Sequence, residues 1–218
     1  MANYIDVADP RVVALAAEAL ARGSVVALPT DTVYGLAADP SQPEAVARLF
    51  AIKDRPAEVA LPVLVGSRQQ VDDVARPLDS AARHLADRFW PGPLTLVVPR
   101  AGGFEADLGG PPSARRSVGV RLPDHPLVRA LCAEVGPLAV TSANVHGAPP
   151  ATSAHQVVTG LRDADGLGLV IDGGSCDGVP STVVECRGPA SRGLRQGAIP
   201  WSEVFPRWSG TTAGGPTG

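Results

Sequence analysis

The chain has 218 residues, 44% of them hydrophobic and 19% charged, with a formal net charge of −3. That is the composition of a folded domain. It excludes a protein whose main task is to coat a polyanion over its whole surface, while leaving room for a local basic site. Cys132, Cys176 and Cys186 have no C-x-x-C spacing, the four histidines form no H-E-x-x-H signature, and no apolar run reaches the length of a membrane span. The expectation is one domain over residues 1–208 with reduced cysteines and a flexible tail over 209–218. The N-terminus lacks the basic and apolar regions of a signal peptide, so the default compartment is the cytoplasm, with no membrane partner.

In chain order, Asp9-Pro10 followed by Val12, Val13, Leu15, Ala16, Ala19 and Leu20 predicts a capped helix closed by Gly23. Ser24 to Leu28 is aliphatic and β-branched and predicts a buried strand stopped by Pro29. Thr30, Asp31, Thr32 and Tyr34 then crowd into five positions, followed by Gly35. Past the carboxyl end of a strand, such a loop either binds a ligand or is a turn whose short polar side chains satisfy the backbone. Ser41-x-x-Glu44 reads as a capping box for a second helix ending near Lys53, so strand, polar loop and helix are expected in succession. Pro56 ends that helix and leaves Lys53 and Arg55 pointing the same way in an extended segment. These two cations either complement the helix dipole or face a common anion.

Leu61 to Val65 predicts a second buried strand, and Ser67-x-x-Gln70 and Asp79-Ser80 start two helices. Phe89-Trp90-Pro91-Gly92-Pro93 is a rigid turn into the strand Leu94 to Val98, its aromatics closing the core. Ala101 to Arg116 has only Phe104 and Leu108 to bury and reads as a mobile surface loop. Ser117 to Leu122 alternates, with Ser117, Gly119 and Arg121 on one face. A helix over Pro126 to Val135 and a strand over Leu138 to Val140 lead into a second polar loop, Thr141-Ser142-Ala143-Asn144. Ser153-x-x-Gln156 opens a helix, Leu167 to Ile171 is a strand, Asp172-Gly173-Gly174 a turn, and Ser181 to Cys186 a strand. Leu194 to Gly197 and an amphipathic segment from Ile199 to Trp208 complete the chain.

Pro29-Thr30-Asp31-Thr32-Val33-Tyr34-Gly35-Leu36, Lys53-x-Arg55-Pro56, Phe89-Trp90-Pro91-Gly92-Pro93-Leu94-Thr95, Arg121-Leu122-Pro123-x-His125-Pro126, Ser142-Ala143-Asn144, Asp172-Gly173-Gly174, Ser181-Thr182-Val183-Val184 and Leu194-Arg195-x-Gly197 occur in that order. In these motifs the chain resembles the YrdC-like threonylcarbamoyl-AMP synthase family, in its short single-domain form. The resemblance implies an α/β (α+β) fold, a YrdC/RibB-like twisted mixed sheet flanked by helices around a basic cavity. It also implies synthesis of L-threonylcarbamoyladenylate and pyrophosphate from L-threonine, bicarbonate and ATP, a step toward the threonylcarbamoyladenosine of tRNA. By motif, Lys53 and Arg55 would meet the ATP phosphates and act catalytically, with Ser117, Thr141, Ser142, Asn144 and Arg195 also on the ATP side. Thr30, Thr32, Arg121 and Ser181 would bind threonine, with Ser117 and Arg121 lining the cavity between the two ligands.

With no G-x-x-x-x-G-K-[ST] loop, side-chain cations must hold the phosphates. Attack of a carbamate on the α-phosphorus needs positioning and charge stabilisation more than a strong base. Mg2+ would arrive on ATP, and no protein metal site is expected. The resemblance further implies product transfer to a tRNA threonylcarbamoyl transferase complex and allows a weak contact with tRNA or double-stranded RNA. A noncatalytic RNA-binding module of the same fold is the alternative reading, which the acidic balance weakens. The chain departs from its relatives at Val59-Ala60-Leu61, at Leu64 where a histidine is common, at Val179-Pro180 and at Gln196.

Overall fold

The structure, a computed structural model, describes residues 2–206 apart from 55, 57, 146, 162, 163, 188 and 189. Arg55, the last two residues of the final amphipathic segment and the tail expected over 209–218 therefore lie outside the described residues. Ten strands form one mixed sheet: β1 (Asn3–Asp6), β2 (Val25–Leu28), β3 (Gly35–Ala38), β4 (Val63–Leu64), β5 (Leu94–Pro99), β6 (Ser117–Arg121), β7 (Leu138–Ser142), β8 (Leu167–Asp172), β9 (Thr182–Glu185) and β10 (Arg192–Arg195). Their spatial order is β1-β8-β2-β3-β7-β4-β6-β5-β9-β10. Seven helices join them: α1 (Val12–Ala21), α2 (Pro43–Lys53), α3 (Val71–Val74), α4 (Ser80–Phe89), α5 (Pro126–Val135), α6 (Ala154–Leu161) and α7 (Trp201–Val204).

Strand alternation divides the core. One face buries Leu36, Val63, Leu96, Val118, Val120, Ala139 and Val184 against apolar residues of α2, α3, α4, α6 and α7. The opposite face buries Val26, Leu28, Ala37, Leu64, Leu138, Val140 and Ile171 against α1 and α5, through Ala16, Leu20, Val128 and Leu131. Among the described residues five α-helices cover the first face and two cover the second. Over β6, β5 and β9 the second face carries Ser117, Gly119, Arg121, Thr95, Val97 and Val183, by the register that pairs Val97 with Gly119 and Thr95 with Val183. Among the described residues no α-helix packs there; the 3-10 turn Pro112–Arg116 lies at its margin, where Ser117 Oγ donates to Ala114 O at 3.0 Å, and the candidate site occupies that half.

Several sequence expectations change in three dimensions. The stretch after Pro29 is a hairpin rather than a loop leading directly to a helix, because Gly35 to Ala38 returns antiparallel to β2. At Gly35 a Cβ would lie 2.9 Å from Val140 Cγ1, so a glycine is needed for β3 to pass β7. The Ser41–Glu44 capping box does not form: the Asp39 carboxylate accepts from Ser41 N at 2.8 Å, Ser41 Oγ at 2.7 Å and Gln42 Nε2 at 2.9 Å, and the helix starts at Pro43. Asp9 likewise binds Arg11 N at 2.8 Å in the turn before α1 rather than capping it. Asp79 does cap α4, accepting from Ala82 N at 2.7 Å. The strand expected over Leu61 to Val65 is confined to Val63 and Leu64, and β7 runs on through Thr141 and Ser142, which the sequence had suggested were loop.

Segment 101–116 is tied down at several points. Arg100 donates to Phe104 O at 2.6 Å and to Ala106 O, Leu61 N donates to Leu108 O at 2.8 Å, and Pro112–Arg116 forms a 3-10 turn. No helix of the described residues is long and apolar enough to cross a membrane.

Candidate functional site

Two adjoining cavities lie over the open half of the sheet. The smaller, about 190 Å³, is bordered by Thr30, Thr32, Leu64, Arg121, Val140 and Ser142, among others. The larger, about 430 Å³, is bordered by Arg100, Ser117, Gly119, Val183, Arg192 and Arg195, with segment 108–114 forming one wall. Pro62, Thr95, Ser181 and Arg195 line both and form the shared wall.

Arg121 organises the small cavity. It is 6% exposed at the end of β6. Its guanidinium donates from Nη2 to Asp31 Oδ1 at 2.5 Å, from Nη1 to Thr32 Oγ1 at 3.0 Å and from Nε to Gly92 O at 3.1 Å. Burial pushes its pKa down and the Asp31 carboxylate pulls it back up, so the pair is an ion pair held out of water. Five N–H groups are present and three make these bonds, which leaves two for a ligand. Asp31, for which the sequence left a turn and a binding loop both open, is thus the partner of the small cavity's most buried arginine. Its second oxygen, Oδ2, and His125 Nδ1 are buried without a hydrogen-bond partner among the described residues.

Thr30 is chiefly a turn residue. Its hydroxyl donates to Val33 O at 2.7 Å and accepts from Thr32 N at 3.1 Å and Val33 N at 3.3 Å, while Thr32 Oγ1 sits 2.9 Å away. The turn reading holds for Thr30, whose hydroxyl serves the local backbone, whereas Thr32 Oγ1 bonds Thr30 and Arg121; both threonines border the cavity.

Lys53 does not lie in an extended segment. It is the last residue of α2, followed by Asp54 in the left-handed region at φ 50°, and it is 2% exposed. Its ammonium donates to Ser142 O at 2.9 Å, Asn144 O at 3.0 Å and Asn144 Oδ1 at 2.7 Å, with Ser142 Oγ at 3.3 Å. It therefore ties the end of α2 to the second polar loop. Thr141 and Ser142 both border the small cavity, although alternation along β7 sends their side chains to opposite faces, Thr141 standing opposite Leu36 in the register.

On the shared wall, Arg195 Nη2 donates to Ser181 O at 2.9 Å and to Ser181 Oγ at 3.2 Å, and Ser181 Oγ lies 2.9 Å from Thr95 Oγ1. Partial desolvation of the guanidinium, and then the neighbouring charge of Arg121, lower the Arg195 pKa, although the residue as a whole is exposed. A Cβ at Gly197 would lie 2.1 Å from Pro180 O, so glycine lets the chain after β10 close over Ser181. Thr95 was missed as a site residue. The available signal was a single hydroxyl in the otherwise apolar Leu94 to Val98 strand.

The arrangement brings Thr30, Thr32, Arg121, Thr141, Ser142, Ser181 and Arg195 around one cavity and Ser117, Ser181 and Arg195 around the other, with Lys53 and Asn144 joined beside Ser142. The described residues contain no group of three or more His, Cys, Asp or Glu able to hold a metal.

Comparison with known proteins agrees with this architecture. The profile of the Sua5/YciO/YrdC family, described as telomere recombination, matches residues 18–197. The chain belongs to the Sua5/YciO/YrdC family. A Chromohalobacter salexigens relative named threonylcarbamoyl-AMP synthase is 40% identical over 174 residues, covering 78% of this chain and 90% of its own length. A Bacillus subtilis relative of the same name is 38% identical over 201 residues, covering 90% of this chain but 56% of its own length. Among solved structures, Pyrococcus abyssi Sua5 complexed with L-threonine superimposes with a TM-score of 0.83 at 32% identity, covering 100% of this chain and 67% of that one. This Sua5/YciO/YrdC chain therefore has the twisted mixed sheet flanked by helices that its sequence motifs implied.

Proposed function

We infer that this chain is an L-threonylcarbamoyladenylate synthase, a nucleotidyltransferase that makes threonylcarbamoyl-AMP and pyrophosphate from L-threonine, bicarbonate and ATP for t6A modification of tRNA. The names of its relatives and the threonine complex of the P. abyssi protein support the reading. The observation that carries it is the pair of cavities meeting at one wall of Thr95, Ser181 and Arg195. Joining an amino-acid derivative to a nucleotide requires two compartments with the reacting atoms at their boundary.

In this reading the small cavity takes threonine. The two remaining N–H groups of Arg121 meet its carboxylate, and Leu64 and Val140 supply an apolar wall for its methyl group. Here the apolar Leu64 stands where relatives often carry histidine, so hydroxyl recognition falls to the Thr32 and Ser181 side. The larger cavity takes the nucleotide, with Ser117 and Arg195 on its wall and Arg100 and Arg192 adding positive charge. By motif, Lys53 and Arg55 supply phosphate charge, the Lys53 ammonium at the end of α2 exchanging an acceptor on Ser142 or Asn144 for a phosphate oxygen. Mg2+ enters with ATP as part of the substrate.

The threonine amine adds to carbon dioxide derived from bicarbonate, giving a carbamate. A carbamate oxygen then bonds to the α-phosphorus as the bond to the β-phosphate oxygen breaks and pyrophosphate leaves. The product passes to a tRNA threonylcarbamoyl transferase complex.

The test is pyrophosphate release from Mg·ATP by the purified protein, with mass spectrometry of the product. Release that needs both threonine and bicarbonate, with a threonylcarbamoyl-adenylate mass, is the expected result. Salt-sensitive binding of double-stranded RNA without turnover would replace this reading with that of an RNA-binding module.

A further inference from the structure

Hydroxyl protons are scarce at this site. On the cavity face of the sheet and its Thr30–Thr32 loop, the Thr30 proton goes to Val33 O. Thr32, which accepts from Arg121, donates in turn to Thr30 Oγ1. Ser142 donates to Asn144 Oδ1 at 2.6 Å, and Ser117 donates to Ala114 O at 3.0 Å. Each hydroxyl has one proton, so none of these four has a proton left for an anionic ligand. Thr95 and Ser181 differ, because they share one hydrogen bond between two hydroxyls, and one of their two protons has no acceptor among the described residues.

The direction of that bond follows from Arg195. Its guanidinium already donates to Ser181 Oγ, and a hydroxyl that accepts from a cation is polarised into a better donor. The chain then runs from Arg195 N–H to Ser181, from Ser181 to Thr95, and ends on the Thr95 proton. Thr95 is 4% exposed and borders both cavities, and among its neighbours across the strand pair is Gly119, where a Cβ would be in contact with Thr95 Cγ2 and Pro62 Cβ, each 3.5 Å away.

We propose that Thr95 is a further substrate-binding residue of this enzyme, donating its hydroxyl proton to the carbamate oxygens at the junction of the two cavities, with Ser181 relaying the polarisation from Arg195. The inference rests on the threonylcarbamoyl-adenylate reading. The carbamate forms in the small cavity and must present one oxygen to the α-phosphorus in the large one. A neutral donor at the boundary orients that anion without trapping it as a second cation would.

The experiment compares the wild type with T95V, T95S and S181A in the pyrophosphate assay, with threonine affinity measured by calorimetry in the absence of bicarbonate and melting followed in parallel. T95V, which keeps the shape, lowers kcat at least 10-fold while leaving threonine affinity within about threefold and melting nearly unchanged. T95S, which keeps the hydroxyl, restores most of the rate, and S181A, compared at saturating threonine because Ser181 also borders the threonine cavity, loses less kcat than T95V since the Thr95 proton survives there. Wild-type turnover with T95V unaffected, with T95S as impaired as T95V, or with S181A worse than T95V would overturn the inference and leave the functional reading standing. A wild type that releases no pyrophosphate in response to threonine and bicarbonate would overturn both.

Discussion

The Asp31–Arg121 pair lends itself to a stability test. The two groups approach to 2.5 Å with side chains 13% and 7% exposed, so little solvent screens them. Replacing Asp31 by Asn keeps the shape and removes the charge, leaving a guanidinium in a cavity wall opposite a neutral amide. Breaking a buried pair from one side costs about 3 to 5 kcal/mol. The pair borders an open cavity, so the lower end, about 3 kcal/mol, is the expected value. For a chain of this size that is a fall of roughly 6 to 12 °C in melting temperature. The asparagine amide gains nothing at the Oδ2 position, which has no hydrogen-bond partner among the described residues.

Urea unfolding of the wild type, D31N, R121M and D31N/R121M closes the cycle. The double variant should recover at least half of the D31N loss, because no unpaired guanidinium remains. A D31N cost below about 1 kcal/mol, or a double variant whose loss equals the sum of the singles, would refute the claim that this ion pair holds the cavity wall.

Lys53→Met should lower pyrophosphate release by about 30- to 1000-fold, matching about 2 to 4 kcal/mol of lost charge stabilisation, and should also expose the 142–150 segment to protease; near wild-type turnover would contradict it. His125 has its pKa lowered by burial, with Asp31 and Asp124 opposing the shift. The unfolded chain therefore takes up a proton first, and stability should be full above the ordinary histidine pKa of about 6.5 and fall as pH drops below it. Denaturant titrations from pH 7.5 to 5 should show that slope in the wild type and a weaker one in His125→Phe. Thiol labelling of the native protein should reach half-buried Cys176 before Cys132, whose pKa burial pushes up to about 12, and before buried Cys186. Amide exchange over residues 101–116 should slow when ATP and threonine are both present, since segment 108–114 walls the larger cavity; unchanged exchange would argue against ligand there.

Much of the frame was legible locally. The periodicity of Val12, Ala16, Ala19 and Leu20 specified α1, and aliphatic runs specified β2, β5 and β8, because each buries its own apolar face whatever lies beyond it. Ordered short motifs also identified the family and most of the polar groups that now border the cavities. What local sequence could not fix was pairing and partner choice. β1 is an exposed edge strand without an apolar run, formed because β8 offers it a parallel partner. β3 looked like loop because Gly35, Ala37 and Ala38 are small, yet smallness is what lets it sit between β2 and β7.

The same holds at the site. The sequence put Lys53 beside Arg55, but the fold spends its ammonium on Ser142 and Asn144, 89 and 91 residues away. Asp31 and Arg121 are 90 residues apart, and Thr95 and Ser181 are 86 apart. A carboxylate or hydroxyl acquires its role from the donor that desolvation forces against it, and that donor is chosen by the crossing of strands. Residue type and order determined which chemistry this chain carries. Only the tertiary structure decided which charges are buried together and which proton is left over for a substrate.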